Sequence, residues 1–421
     1  MGSGAAGRRG TAVAAAIAGS LLAHAMVAQQ PASPLQRPSA PTAAGASLTI
    51  SLVTMGVGAR VWERFGHNAI LVEDHERGSR TAYNYGLFDL RQKNFILRFV
   101  QGRMLYWMQG LDADAMLRSY MRDNRSVWVQ ELDLAPDERL ALRDFLIWNE
   151  RPENRYYRYD YYRDNCSTRV RDALDRVLHG RLRARTDTVP TGTTYRSHTL
   201  RLTAGDIPLY TALDVALGQP VDRPISAWEE MFLPLSVQEW ARRVTVVDST
   251  GGERPLVRSE RTLFTATMPE PRKRPPAWIP QYLVVGILAG AVLLGTAYVT
   301  PRAFAWLGGA WGLVGGVAGV ILTCLWAFTD HAVAYRNENL FQASLFLLPA
   351  GLALPIAAAN RRARRIAVTF GILAAASSVV GLLLQLMPGF DQQNGEVLAL
   401  LVPMNLGLGW GVKRGLGGAI K

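Results

Sequence analysis

The stretch Tyr159-Asp160-Tyr161-Tyr162-Arg163-Asp164-Asn165-Cys166-Ser167-Thr168-Arg169-Val170 places a single thiol where a polar, aromatic turn gives way to an amphipathic run, Arg169 to Leu178. The chain has two cysteines, and the other, Cys324, lies in an apolar run, so Cys166 has no disulfide partner in its own domain. An unpaired thiol in a secreted domain calls for a chemical reason. The pattern predicts a helix that begins at the cysteine. Unsatisfied N–H groups and the helix dipole lower the pKa of a thiol placed there, which is how a nucleophilic cysteine is usually made.

Working outward, the upstream flank reads as strands and the near flanks as helices. Leu48 to Gly56 alternates in part, Gly66 to Glu73 is a second strand, Asp74 to Arg80 a turn, and Thr81 to Gly86 a third strand closing a hairpin. Val127 to Leu132 reads as another strand. Pro136-Asp137-Glu138 opens a helix that carries Leu140, Leu142, Phe145, Leu146 and Trp148 to about Asn149. A few strands with separate helices make an α+β domain. Residues 186–270 are rich in Pro, Gly and Thr without clear periodicity and are expected to pack on this core.

A cysteine nucleophile needs a base in hydrogen-bond reach and a third group to orient it. His24 falls in the N-terminal segment, His75 in a turn and His198 in a polar loop. His179 ends the cysteine helix, roughly 20 Å from the thiol by the helical rise. His67 leads an apolar strand beside Gly66 and is the best-placed base. The spacing of His67, His75 and Cys166 is not that of metal ligands, and no cofactor is expected.

The 421 residues suffice for two domains, with a net charge of +12, and the charged residues are unevenly spread: they crowd before residue 281, and the remainder is mostly apolar. Arg8-Arg9, the apolar run Thr11 to Leu22 and the small residues that follow predict a signal peptide over residues 1–28. Residues 29–46, rich in Pro, Ser and Ala, predict a disordered linker. Residues 47–280 form the expected exported domain, and residues 281–421 an all-α membrane domain of about five helices, in apolar runs near 281–300, 306–328, 343–359, 366–387 and 396–412. With five spans, Arg302, Arg361 to Arg365 and Lys413-Arg414 fall on one side, which the positive-inside rule assigns to the cytoplasm; Arg272-Lys273-Arg274 runs against that bias. Residues 47–280 are then expected outside the cytoplasm. Nucleic acid is not an expected partner there. The loop Phe328 to Leu340 carries polar residues at the outer end of the second span, a placement that is often functional.

The chain order adds information. A strand histidine precedes the cysteine helix, which resembles the circularly permuted branch of the NlpC/P60 superfamily, the branch of lecithin-retinol acyltransferase; the implied fold is papain-like. Phe65-Gly66-His67-Asn68-Ala69, Tyr83-Asn84-Tyr85-Gly86-Leu87-Phe88-Asp89, and Tyr161 through Asp172 together look like the signature of the Lnb N-terminal periplasmic domain. Asp330-His331 with Asn337-Glu338-Asn339-Leu340 resembles the Lnb C-terminal region. The resemblance implies a lipoprotein N-acyltransferase of the bacterial inner membrane, with residues 47–280 in the periplasm: Cys166 takes an acyl chain from a membrane phospholipid as a thioester, and the amine of a lipoprotein's diacylglyceryl cysteine receives it. His67 is then the base and Asn84 its orienting group, with Tyr85 and Asp89 as rivals. Tyr162, Asn165 and Arg169 are candidate substrate contacts, as are His331 and Asn337; Asn165 also suits a helix cap. The alternatives are a cysteine peptidase or amidase acting on peptidoglycan, and a non-catalytic membrane scaffold.

Overall fold

The computed structural model describes residues 43–247 and 252–417. The expected signal peptide and most of the expected linker lie outside the described residues. The strands are β1 Leu48–Met55, β2 His67–Asp74, β3 Ser79–Leu87, β4 Leu105–Asp112, β5 Val127–Leu132, β6 Tyr156–Arg158, β7 Thr245–Val247, β8 Glu253–Pro255 and β9 Val257–Phe264. The helices of the first part are α1 Phe95–Val100, α2 Ala113–Arg122, α3 Pro136–Glu150, α4 Cys166–Val177, α5 Arg181–Thr186, α6 Tyr195–Thr203, α7 Ile207–Ala216, α8 Ala227–Glu230 and α9 Pro234–Arg243. Those of the second part are α10 Ile279–Val299, α11 Pro301–Phe328, α12 Leu347–Ala353, α13 Arg361–Leu384 and α14 Gly395–Gly417.

Seven strands form one antiparallel sheet in the order β6-β4-β3-β2-β1-β5-β9. The inner strand β1 is buried on both faces, which blunts the alternation expected of a half-buried strand. Leu48, Ile50, Leu52, Ile70, Val72 and Tyr85 pack under α3, α4 and α9 through Leu142, Leu146, Val170, Leu174 and Val237. Val53, Met55, Ala69, Leu71 and Val129 pack under α2 through Ala113, Met116 and Leu117. The result is an α+β domain with helices on both sides of the sheet.

Local chemistry sets the two helices that matter most. Pro136 opens α3, and the Glu138 carboxylate accepts from the Ala135 N–H at 2.7 Å. At α4, Asn165 Oδ1 accepts from the N–H groups of Ser167 and Thr168 at 2.9 and 3.0 Å, while Thr168 Oγ1 accepts from the Asn165 N–H at 2.8 Å. This reciprocal cap, worth about 1 kcal/mol, makes Cys166 the first helical residue. Residues 186–270, without visible periodicity in sequence, hold short capped helices: Thr194, Asp206 and Ser226 each accept from an N–H in the first turn of α6, α7 and α8.

Among the described residues four helices, α10, α11, α13 and α14, are long and apolar enough to cross a membrane. The expected third span, 343–359, is instead the short helix α12 followed by a 3-10 turn, Leu354–Ile356. Pro355 ends the α-helical run, since it has no N–H to donate. The segment lies against a glycine stripe of α11, where a Cβ at Gly312 would come within 2.6 Å of Gly351 Cα. Small residues allow such backbone contact between membrane helices.

A polar seam joins the sheet domain to these helices. The last carbonyls of α7 have no partner within their own helix, and side chains from elsewhere supply them. Asn337 Nδ2 donates to Val215 and Ala216 O at 2.9 and 3.0 Å, Asn339 Nδ2 to Asp214 O at 3.1 Å, and Gln392 Nε2 to Leu217 O at 3.1 Å. Behind them the buried Arg196 holds Asp214 and Asp222, each at 2.6 Å. Pairing of this kind is what makes a buried guanidinium tolerable.

Candidate active site

The hairpin β2–β3 does not stay zipped to its end. Its pairing stops at Ala69 opposite Asn84, and β3 shifts register between Asn84 and Leu87. Gly86 takes φ +88° there, a conformation that glycine alone adopts at little cost. A Cβ on it would stand 3.2 Å from the Cβ of Cys166. The first turn of α4 therefore docks where β3 leaves β2.

Cys166 is half-buried at this gap. The Ser167 hydroxyl, 3.9 Å from Sγ, and the backbone N–H groups of Asn68, Ser167 and Cys166 face the sulfur and favour its ionised form. Burial outweighs them and pushes the thiol above its ordinary value. The expectation of a thiol lowered by the helix N-terminus is thus corrected: loss of water around the sulfur exceeds what the N–H donors supply.

His67 opens β2 on the face covered by α2. Its Nε2 lies 3.0 Å from Asn84 Oδ1. Asn84 Nδ2 donates to Ala82 O at 2.9 Å, which fixes the amide with its oxygen toward the imidazole. Nε2–H is then the donor, and Nδ1 carries the basic lone pair. The imidazole stacks on Tyr120 at 6.0 Å between centroids, and Arg125 lies over that same tyrosine ring at 4.7 Å. Burial, and then the Arg125 charge, lower the imidazole to about 4 against the pull of Asn84. The charge of Cys166 is felt by both Tyr120 and Arg125, so sulfur, imidazole, phenol and guanidinium share one electrostatic site. The two rivals for the third position lie elsewhere: Tyr85 turns to the opposite face and donates to Asn149 at 2.8 Å, and Asp89 pairs with Arg91 at 3.0 Å.

The other expected site residues are dispersed. Asn165 is the cap described above, and its Nδ2 also donates to Tyr161 O and Phe232 O at 2.9 and 3.0 Å. Arg169 binds Asp164, with Nη2 at 2.6 Å from Oδ2, and lies 4.3 Å over Tyr157, so its charge is already engaged beside the thiol. Tyr162 is buried against Tyr195 with its hydroxyl 2.7 Å from Thr199. His331 Nε2–H donates to Phe99 O at 2.8 Å and its ring stacks on Tyr161 at 6.1 Å. Asn337 belongs to the polar seam. His198, expected in a loop, is buried within α6 and sits 3.1 Å from Glu230, because Thr194 starts a helix there.

Sequence reasoning did not single out Tyr120, Arg125, Tyr157 or Tyr159. Tyr157 and Tyr159 wall the sulfur, and burial raises both phenols well above their ordinary range, with the Cys166 charge adding to it. The alternation Tyr157-Arg158-Tyr159 was the available signal; nothing near Arg125 announced that it meets a strand some 60 residues upstream.

Among known proteins, residues 38–201 match the family described as the Lnb N-terminal periplasmic domain. That span runs from before β1 into α6 and contains Cys166, His67 and Asn84. No curated protein and no solved structure matches the chain.

Proposed function

We propose that the protein is a thiol-dependent acyltransferase of the bacterial inner membrane, which moves an acyl chain from a membrane phospholipid to the N-terminal amine of a lipoprotein. The observation that carries this reading is the arrangement around the sulfur: a neutral thiol at a helix N-terminus, and a neutral imidazole fixed by Asn84, its basic nitrogen without a hydrogen-bond partner among the described residues. The permuted papain-like fold is supported by the placement of the cysteine helix against the histidine strand, with the histidine earlier in the chain. The orientation is supported by the basic ends of α11, α13 and α14 lying away from the polar seam. Arg302 opens α11, Arg361 to Arg365 open α13 and Arg414 ends α14.

In the proposed cycle, His67 Nδ1 takes the thiol proton as Sγ attacks the ester carbonyl of the lipid. The N–H groups around the sulfur stand where the oxyanion develops, and one such donor is typically worth 10²–10³ in rate. The imidazolium protonates the departing lysolipid alkoxide, leaving a thioester on Cys166. The lipoprotein amine then attacks the thioester carbonyl and gives its proton to His67. Collapse forms the amide, and the leaving sulfur recovers the proton. The test is mass spectrometry of lipoprotein N-termini from membranes holding the native chain or Cys166→Ala. A third acyl chain made by the native chain alone supports the reading. An equal yield from the Ala variant, or cleavage of muropeptides with no acyl transfer, overturns it.

A further inference from the structure

Behind the proposed nucleophile, an exposed apolar edge adjoins the end of a membrane-length helix. The segment from Leu90 through α1 exposes Leu90 at 68%, Ile96 at 75%, Leu97 at 54% and Val100 at 54%. A soluble surface has no use for four such side chains on one short segment. The segment is tied to the end of α11: Asp330 N–H donates to Gln101 O at 2.8 Å, and His331 donates to Phe99 O at 2.8 Å. Asp330, only two residues past the end of α11 at Phe328, also holds Arg103 and Arg158 at 2.8 and 2.7 Å. These contacts bring the apolar edge to the depth at which a spanning helix leaves the bilayer, with Arg103, Arg158 and the exposed Lys93 at headgroup level.

A row of aromatic rings leads inward from it. Phe99 faces Phe95 at 6.5 Å, Phe95 faces Phe88 at 6.0 Å, Phe88 stacks on Tyr106 at 5.1 Å, and Tyr106 on Tyr159 at 4.3 Å. Tyr159 is one of the two walls beside Cys166.

We propose that Leu90 to Val100 is a membrane-seated edge of the exported domain, inserted in the outer leaflet, and that the aromatic row behind it guides a lipid acyl chain to Cys166. The guiding role rests on the acyl-transfer reading; the seating in lipid does not.

Two measurements on the full chain test it. In the first, a bimane is placed at Leu97→Cys, or at Glu76→Cys in the β2–β3 turn as control, with Cys166 and Cys324 replaced by Ser. The protein sits in phosphatidylethanolamine–phosphatidylglycerol vesicles containing a shallow doxyl-labelled lipid. At least twofold stronger quenching at position 97 than at 76 is expected; equal quenching, as a protein-docking surface would give, overturns the seating and the proposal with it. In the second, Ile96→Asp/Leu97→Asp is compared with the native chain. Transfer from vesicle phospholipid should fall at least tenfold, with alkylation of Cys166 by a water-soluble iodoacetamide unchanged. Undiminished transfer overturns the guiding role. A native chain that transfers nothing overturns the acyltransferase reading, and the quenching result still decides the seating.

Discussion

The resting dyad should be a neutral thiol and a neutral imidazole, and the structure sets the scale of that preference. His67 sits at about 4, and Cys166 lies above the ordinary thiol value of about 8.5. Moving the proton from sulfur to imidazole therefore crosses at least about 4.5 units, or about 6 kcal/mol. Attraction between the resulting charges would offset at most about 4 kcal/mol of this, the figure for a pair brought to about 4 Å at an effective dielectric of about 20. A net preference of at least about 2 kcal/mol leaves the ion pair at a few per cent or less. The assay is thiolate absorbance near 240 nm, read as the difference between the native chain and Cys166→Ser from pH 5 to 10. The expected signal is under a tenth of one thiolate at pH 6, rising only on the alkaline side. A full thiolate at pH 6 would refute the reasoning. The same shift fixes the acid limb. Catalysis needs neutral His67, so kcat/KM should fall near pH 4, not near 6.5. Because the folded value is depressed, the stability linked to His67 is present above about 6.5 and lost as pH falls through about 4.

Three further outcomes follow from the geometry. Asn84→Ala removes the acceptor that holds His67 and leaves Ala82 O without its donor; kcat should drop about tenfold to a hundredfold with KM nearly unchanged, for a loss of about 1–3 kcal/mol. Gly86→Ala places a Cβ at φ +88° and 3.2 Å from that of Cys166; thermal unfolding should show about 1–3 kcal/mol of lost stability, and Cys166 alkylation should change rate. Asn337→Ala removes the side-chain donor to Ala216 O and one of the two donors to Val215 O, which keeps Asn339 Nδ2; hydrogen exchange should rise at residues 213–218 and 330–342 while Cys166 alkylation stays as in the native chain.

What could be read in the sequence was whatever carried its signal locally. β1, β2, β3 and β5 appear within a residue or two of their expected positions, because their apolar runs end in turn residues, and α3 opens with Pro136 and α4 follows its cap Asn165, both local starting signals. β9 was invisible: VRSERTLF is an exposed edge strand, and its partner β5 lies about 130 residues earlier. β4 is half-covered along most of its length and interrupted by Gly110, so no period stands out. Five apolar runs suggested about five spans, the third and fifth of them short, but composition does not reveal that 343–359 is a short helix and a 3-10 turn packed on glycines of α11. The same limit applies at the site. Cys166 and His67 were candidates from their own neighbours, and the hairpin put Asn84 beside His67. The direction of the thiol shift depended on how deeply tertiary packing buries the sulfur, which no local pattern encodes.

The seam at the end of α7 also governs reach. Asn337, Asn339 and Gln392 clasp the sheet domain through hydrogen bonds to its backbone, in place of a slack tether. The height of the sulfur above the hydrocarbon is then a fixed dimension of the molecule, and a substrate must present its reacting bond at that altitude, whatever else it displays to the solvent.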